Sequence, residues 1–227
     1  MNSVADKPEN GLTRDSAYSY TCGACGRCCN RYIIRVNPYE VLRLAQYIGV
    51  STSEFLQKYV TPGASLIHKQ DDSCIFLGPE GCTVHPARPL VCRLYPLGRH
   101  LSGDGDEWFF RMTPHPDTEG VYGDDGSVAD YLASQGALPF MDAADRYMAV
   151  FRRYWRVLES MPAEESISGE DSGEGEQQPQ VIPELLNPDS VLSGISGNGM
   201  KIDPEIIMQH HIEALEVWLT QFHQKGE

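Results

Sequence analysis

The sequence predicts an α+β fold, with a small cysteine-rich β-hairpin centre wrapped by four to five α-helices. Four of its seven cysteines fall within eight positions of the stretch "TCGACGRCCN" at 21–30. Between residues 64 and 113, short apolar runs are separated by Asp-Asp and Gly-Pro-Glu-Gly turns, which is typical of short paired strands. Longer segments elsewhere carry apolar residues at helical spacing.

Length and charge limit the classes of protein to consider. The chain has 227 residues, of which 41% are hydrophobic, enough for one ordinary domain with a core, alone or with an appendage. Its net charge of −14 argues against non-specific binding to nucleic acid or to an anionic membrane. Neither a signal-peptide core nor an apolar run long enough to span a membrane is present. We therefore expect a cytoplasmic protein with no nucleic-acid and no membrane partner.

Composition divides the chain into four parts. Residues 1–16 are polar and aperiodic, and we expect a disordered tail. Residues 17–160 hold all the cysteines and form the main domain. Residues 161–180 contain six acids and no base, so they are expected to be a disordered linker. Residues 181–227 form a C-terminal segment with an amphipathic helix.

The first half of the main domain is predicted to contain one strand, two helices and several short strands. "RYIIRV" at 31–36 is β-branched and alternating, which favours a strand. A helix begins at the N-cap Asn37 and ends at Gly49, and a second begins at the N-cap Ser51. Short strands are expected at "SLIH", "CIFLG" and "CTVH".

The second half is predicted to hold helical turns, a hairpin and two helices. "PARPLVCRLYP" at 86–96 accommodates one or two helical turns, and "GRHLSGDGDEWFFRM" reads as a hairpin with "SGDGD" at its tip. A short helix spans 127–135, and a long one spans 138–160. The apolar face of the long helix comprises Phe140, Ala144, Tyr147, Phe151, Tyr154 and Leu158. Its other face carries Arg146, Arg152, Arg153 and Arg156, which we interpret as a solvated surface.

The C-terminal helix is expected to start at the N-cap Asp203. One face is formed by Ile207, His211, Ala214, Leu215, Trp218 and Phe222. This face must dock on the main domain, a second copy or a partner protein. His210 and His211 point about 100° apart on a helix and are not a same-face pair.

The cysteines point to metal binding. Cytosolic thiols are kept reduced, and an odd count leaves one unpaired in an all-disulfide scheme. A metal or cluster site is therefore favoured over redox-active thiols and over structural disulfides. The run Cys22-x2-Cys25-x2-Cys28 is similar in spacing to bacterial ferredoxins, but no fourth cysteine follows four positions later.

Cys29 lies directly beside Cys28. Neighbouring side chains of an extended chain point to opposite faces, so we expect Cys29 to face away from Cys28, toward the downstream cysteines. The segment then serves two metal sites, or one larger site with a spare thiolate. The downstream cysteines are Cys74, Cys82 and Cys92, and His85 is a further candidate ligand.

Three arginines are placed to balance the charge of such a centre. Four thiolates on Zn²⁺, or on a 4Fe–4S cluster, leave a site at about −2, which is costly to bury without donors and cations nearby. Arg27 lies inside the first cysteine run, and Arg88 and Arg93 flank Cys92. These three are the candidate cofactor-binding residues, although each is also interpretable as an ordinary solvated arginine.

The blocks "CGACGRCC", "SCIFL", "GCTVH" and "RPLVCRLYP" resemble the CxxCxxCC cysteine-cluster family, the YkgJ-like group regarded as zinc- or iron-chelating. The resemblance covers residues 20–96. It implies a metal centre liganded by Cys22, Cys25, Cys28, Cys29, Cys74, Cys82 and Cys92. The family often has an aromatic residue at the position of His85, which weakens a ligand role there. Tyr95 and Pro96 are expected to shield the site from solvent.

Three functional hypotheses follow. The first is a cytoplasmic zinc or iron–sulfur protein, with a metal ion or 4Fe–4S cluster, acting in redox chemistry, sensing or metal handling. The second comes from a branch of the family that looks like flagellin lysine N-methylases, and implies S-adenosylmethionine; no Gly-rich loop of a Rossmann-type methyltransferase is present. The third is a structural zinc domain that binds a protein through helix 203–224. Whether the chain is an enzyme stays open. We assign no function to His68, His100 or His115.

Overall fold

The computed structural model describes residues 11–23, 25–30, 32–160, 183–192 and 202–225, and the chain forms two compact units. Unit 1 comprises residues 1–34 and 66–141, and unit 2 comprises residues 35–65 and 142–227. The linker expected at 161–180 lies outside the described residues. All seven cysteines belong to unit 1.

Unit 1 contains three small antiparallel strand pairs. The strands are β1 Ala17–Thr21, β2 Leu77–Gly78, β3 Gly81–Cys82, β4 Leu97–Leu101, β5 Glu107–Arg111 and β6 Val121–Ser127. β1 pairs with β6, β2 with β3, and β4 with β5. The α+β class is thus confirmed, with a short hairpin in the cysteine-bearing region.

The β4–β5 hairpin forms where the sequence predicts it. Gly98 pairs with Phe110 and His100 with Trp108, and the Ser102 N–H donates to the Asp106 carbonyl at 2.9 Å across the tip. Gly105 has a φ of 93°, which glycine adopts at low steric cost. The turn residues of "SGDGD" therefore favour the hairpin that the structure shows.

Two helices complete unit 1. They are α3 Leu90–Leu94 and α4 Val128–Ser134. The Ser127 and Asp130 side chains form a reciprocal capping box at the start of α4. The buried apolar core is formed by Tyr18, Leu94, Leu97, Phe109, Val128, Tyr131, Leu132, Ala137 and Met141. The core includes Tyr18 of β1, which leads into the first cysteine run, and Leu94 of α3, the helix that carries Cys92.

Unit 2 is helical. It holds α1 Pro38–Ile48, α2 Thr52–Tyr59, α6 Asp189–Leu192 and α7 Pro204–Lys225, together with most of α5 Leu138–Ser160. The caps predicted from the sequence are present: Asn37 forms a capping box with Glu40, and Ser51 accepts from the Glu54 N–H. α1 buries Val41, Leu44 and Ala45, which recur at helical spacing.

α7 packs against α5 inside unit 2. The Tyr147 hydroxyl and His211 Nδ1 are 3.0 Å apart in the buried layer, and Arg153 forms an ion pair with Glu216 at its edge. The buried residues of α7 are Ile207, Met208, His211, Leu215 and Leu219. Ala214, which was expected on this face, is exposed, and the side chain of Phe222 lies outside the described residues.

Three expectations need correction. "RYIIRV" forms no strand over its described residues 32–36; the only ladder contact there is an isolated bridge between Arg35 and Ser65, and Ile33 is 69% exposed. The described chain has more than the expected four to five helices, and α1, α2, α6 and α7 belong to unit 2 and not to the unit that holds the cysteines.

The N-terminal segment and the helices give two further findings. In the part of the segment that is described, Leu12 exchanges backbone hydrogen bonds with Phe109 at 2.7 and 2.9 Å, and Arg14 pairs with Glu107 at 2.7 Å.

Across the described residues, no helix has both the length and the apolar character that a membrane span requires.

Candidate metal centre

Five cysteines from separate parts of unit 1 come within electrostatic range of one another. Cys29 is influenced by Cys28, Cys82 and Cys92, and Cys74 by Cys28 and Cys82. The five thiols come from the first cysteine run, the loop before β2, strand β3 and helix α3. We call Cys28, Cys29, Cys74, Cys82 and Cys92 the inner cysteines.

A single 3₁₀ turn, Arg27–Cys29, carries two of the inner cysteines. It starts at Gly26, whose φ of 70° reverses the chain, and the Cys29 N–H donates to the Gly26 carbonyl at 3.0 Å. The side chains of Cys28 and Cys29 are hydrogen-bonded to each other. The expectation that they face opposite ways is therefore wrong, because it assumed an extended chain and the chain here is helically wound.

Backbone hydrogen bonds tie this turn to the downstream cysteines. The Cys74 N–H donates to the Cys29 carbonyl at 2.8 Å, and Asn30 and Ser73 form an antiparallel bridge beside it. The β2–β3 hairpin then reverses the chain and pairs Cys82 with Leu77. Cys74 and Cys82 lie 45 and 53 positions after Cys29 in the sequence, and these contacts hold them in one small region with it.

Several sulfurs accept hydrogen bonds from backbone N–H groups in the same local pattern. The donor lies two residues beyond the cysteine: Arg27 for Cys25, Phe76 for Cys74 and Val84 for Cys82. Such donors stabilise thiolates, and hydrogen bonds to the sulfurs are one way in which proteins tune metal–thiolate centres. The sequence analysis did not anticipate these donors.

Burial and mutual proximity set the protonation of the inner cysteines. The hydrogen bond from the Cys29 thiol lowers the pKa of Cys28, and the same hydrogen bond, with burial, raises the pKa of Cys29. Burial is the main cause of the raised pKa of Cys74 and Cys82, opposed by their backbone donors. A closely packed set of partly buried thiols loses its protons readily only when a cation compensates the charge.

Cys22 and Cys25 lie at the outer side of the site. Cys22 is exposed, and the Cys25 sulfur accepts from the Glu119 N–H, which lowers the pKa of Cys25. Both cysteines, like Cys28, are within electrostatic range of the Tyr20 hydroxyl. Gly23 packs so closely on Glu119 that an added Cβ would stand 2.8 Å from its carbonyl oxygen. The loop at 118–119, which the sequence did not single out, therefore positions this half of the run.

The three predicted arginines differ in their surroundings. Arg88 is within electrostatic range of Cys82, where it opposes the rise in pKa that burial causes, and it donates to the Gln135 side chain at 2.8 Å. Arg93 is only 6% exposed and donates to the carbonyls of Arg88, Gln135 and Pro86. Arg27 is exposed, beside Cys28 on the 3₁₀ turn.

His85 and Tyr95 also border the site. His85 is exposed, its Nδ1 is 3.3 Å from the Arg88 guanidinium, and burial followed by Arg88 and Arg93 lowers its pKa. The Tyr95 ring lies 6.4 Å from that of Tyr20, and burial and the nearby tyrosines and Cys28 raise its pKa. Tyr95 thus stands close to Cys28, on the side where the sequence predicts shielding.

The donors of the site fit a thiophilic metal. Within residues 11–23, 25–30, 32–160, 183–192 and 202–225, no three His, Cys, Asp or Glu side chains already stand at positions that would hold a metal ion. The inner cysteines are nonetheless neighbours, they are soft sulfur donors, and backbone N–H groups point at two of them. Thiolate donors of this kind suit Zn²⁺ or an iron–sulfur cluster.

Comparison with known proteins agrees with this reading of the site. Residues 21–114 match the model of the CxxCxxCC family, described as "Putative zinc- or iron-chelating domain". The matched segment contains every cysteine of the chain. No curated protein and no solved structure gives a significant match. Residues 21–114 are thus similar to this family, and the match supports binding of zinc or iron by that segment.

Proposed function

We propose that this protein binds zinc or an iron–sulfur centre through the cysteines of unit 1, and acts in redox chemistry, sensing or metal handling. The observation that carries the proposal is the meeting of five thiols, from four separated segments, in one part of the fold. Without a bound metal, the clustering of so many partly buried thiols would have no physical reason.

Charge is the next step of the argument. A centre with four thiolates carries about −2, and its burial needs compensating donors. Backbone N–H groups at Phe76 and Val84 and the guanidinium of Arg88 supply them. Arg88 is therefore the arginine that the contacts favour most as a counter-charge to the centre.

Partial burial favours a centre that exchanges ions or electrons with its surroundings. The inner cysteines are half-buried and Cys22 is exposed. Fully enclosed sites suit purely structural zinc, whereas access to the sulfurs is needed for metal transfer or for response to oxidants. When bound, iron would supply one-electron chemistry and zinc would not.

Metal analysis of anaerobically purified protein tests the proposal. We expect stoichiometric zinc or iron, with visible absorption if an iron–sulfur cluster is present. Cys74→Ser and Cys82→Ser should each lose most of the metal, and Cys22→Ser, at the exposed edge, should lose less. Ala133→Ser, at an exposed position of α4 away from the cysteine segments, serves as a control. A colourless protein without bound zinc or iron would overturn the proposal.

The two other hypotheses receive no specific support from the described contacts. The strands of unit 1 are short antiparallel pairs, and the buried face of α7 is covered within unit 2. A methylase using S-adenosylmethionine, or a partner docked on the 203–224 helix, thus stays a prediction of the sequence alone. Calorimetry with S-adenosylmethionine on the metal-loaded protein would test the first of these.

A further inference from the structure

A cleft with a volume of about 370 Å³ lies beside the inner cysteines in unit 1. Its lining residues are Arg27, Asn30, Asp71, His115 and Asp117. This volume falls in the range of sites that take small molecules. Arg27 and Asn30 come from the segment that holds Cys28 and Cys29, so a ligand in the cleft would contact that segment directly.

The charges of the cleft are of both signs. Arg27 supplies a guanidinium, which pairs well with a carboxylate. Asp71 and Asp117 supply carboxylates, which suit an ammonium group. A purely anionic ligand would meet two like charges here, and a purely cationic ligand would meet Arg27. A molecule with one cation and one anion satisfies all three side chains.

Local contacts hold two of these groups in place. The Ser73 N–H and hydroxyl both donate to Asp71 Oδ1, at 3.1 and 2.6 Å, which fixes the carboxylate. The Asp117 N–H donates to His115 Nδ1 at 3.1 Å, so the neutral ring carries its proton on Nε2 and can donate from there. The backbone N–H of His115 donates to the Tyr95 hydroxyl at 3.1 Å. The cleft therefore has a preorganised wall.

We propose that this cleft binds a small zwitterion of the α-amino acid class, its carboxylate on Arg27 and its ammonium group on Asp71 and Asp117. Asn30 and His115 complete the polar lining. This site is separate from the thiols and does not depend on which metal they hold. It adds a ligand-binding role to the metal-binding role proposed above.

The test uses the full chain, purified with its metal, and the standard free L-amino acids as probes. Ligand-observed NMR identifies binders, and calorimetry measures their affinity. Arg27→Gln and Asp117→Asn should each weaken binding by about tenfold or more, as expected for lost charge-assisted hydrogen bonds. Arg152→Gln and Asp104→Asn, exposed positions outside the cleft, should leave the affinity unchanged.

Modified ligands assign each end of the probe. Amidation removes the carboxylate charge, so it should cost affinity in the wild type and little more in Arg27→Gln. N-acetylation removes the ammonium charge, so it should cost affinity in the wild type and less in Asp117→Asn, where only Asp71 is left to bind the ammonium group. These two couplings are the signature of the proposed orientation.

Three outcomes overturn the inference. They are the absence of binding by every amino acid, binding that neither Arg27→Gln nor Asp117→Asn weakens, and binding lost only in Asp117→Asn, which would indicate a simple cation. Metal content, measured on the same samples, reports separately on the proposed metal centre. A protein that holds its metal and binds no amino acid would refute the cleft proposal alone.

Discussion

Two glycines decide the shape of the first cysteine run. Gly23 allows close contact with the backbone at Glu119, and Gly26 takes a left-handed conformation at the start of the 3₁₀ turn. A side chain at either position would disturb the placement of neighbouring thiols. The letters "CGACG" thus specify backbone geometry as well as sulfur positions.

Gly26→Ala should destabilise the protein by about 1–2 kcal/mol, the cost of a left-handed conformation for a residue with a Cβ. The added Cβ would also stand 3.1 Å from a methyl of Leu77. We expect a lower melting temperature and a reduced metal-to-protein ratio, measured on the same preparation. Gly103→Ala is the matched control, since nothing lies within 4 Å of its added Cβ. An unchanged ratio and melting temperature in Gly26→Ala would contradict this account.

Arg93 stabilises the backbone near the cysteine site through its hydrogen bonds. Its guanidinium donates to three carbonyls and lies 3.9 Å from the centre of the Phe140 ring. A lysine keeps the charge but cannot reproduce the planar fork of donors. These partly buried carbonyls would then lose hydrogen-bond partners, at a cost of about 2 kcal/mol.

Arg93→Lys should therefore lower the free energy of unfolding by about 2 kcal/mol, measured with urea. If the role is structural, the metal-to-protein ratio of the folded variant stays as in the wild type. The exposed Arg152→Lys provides the reference for an arginine-to-lysine change without buried contacts. Equal stability of the two variants would refute the argument.

At the scale of elements, the α5–α7 pair contains a buried histidine. His211 is 1% exposed, and burial lowers its pKa to about 4. In the unfolded chain the pKa of histidine is about 6.5, so between pH 6.5 and 4 the unfolded state binds a proton that the folded state does not. Stability is then complete above about pH 6.5 and falls as the pH is lowered through this window.

Between pH 8 and pH 5, this one group should cost about 2 kcal/mol of unfolding free energy. His211→Gln removes the titration and should flatten the pH dependence by that amount in urea unfolding curves. The neighbouring His210→Gln changes an exposed histidine and should leave the slope as it is. Identical slopes in the two variants would show that His211 is not the group responsible.

Helices and turns that are marked by neighbouring residues could be predicted from the sequence. Strands that form only by pairing with a segment far along the chain could not. The caps at Asn37, Ser51 and Ser127 and the "SGDGD" tip all lie within a few residues of the structure they start. β6 contains two glycines and two aspartates, which disfavour strands, yet it pairs with β1 about a hundred positions earlier. Its strand conformation is therefore imposed by tertiary contact.

The candidate site shows the same division. The ligand residue types and the family resemblance follow from the cysteine spacing, and the family model matches the same segment, residues 21–114. The hydrogen bond between Cys28 and Cys29 depends instead on the 3₁₀ turn. Two adjacent cysteines in a sequence do not predict such a turn. The cleft at Arg27 needs residues from three separated segments, and no local pattern marks such a meeting.

At the scale of the whole molecule, metal removal should act first on unit 1. All the cysteines lie there, and its strands are short, so bound metal would contribute part of its folding free energy. Hydrogen exchange read by mass spectrometry should rise most in peptides covering 20–30 and 73–94 after chelation. Peptides from α1 and α7, with their own buried cores, serve as internal controls. A uniform rise over both units would contradict this expectation.

The order of the cysteines along the chain has a consequence during synthesis. Cys29 leaves the ribosome about sixty residues before Cys92, with α1 and α2 made in between. At about 5–20 residues per second, the first four thiols wait roughly 3–12 seconds for their last partner. During that interval they form an incomplete donor set, open to oxidation or to a wrong ion. Binding of the correct metal therefore depends on the reducing thiols and the free metal ions around the ribosome as well as on the folded structure.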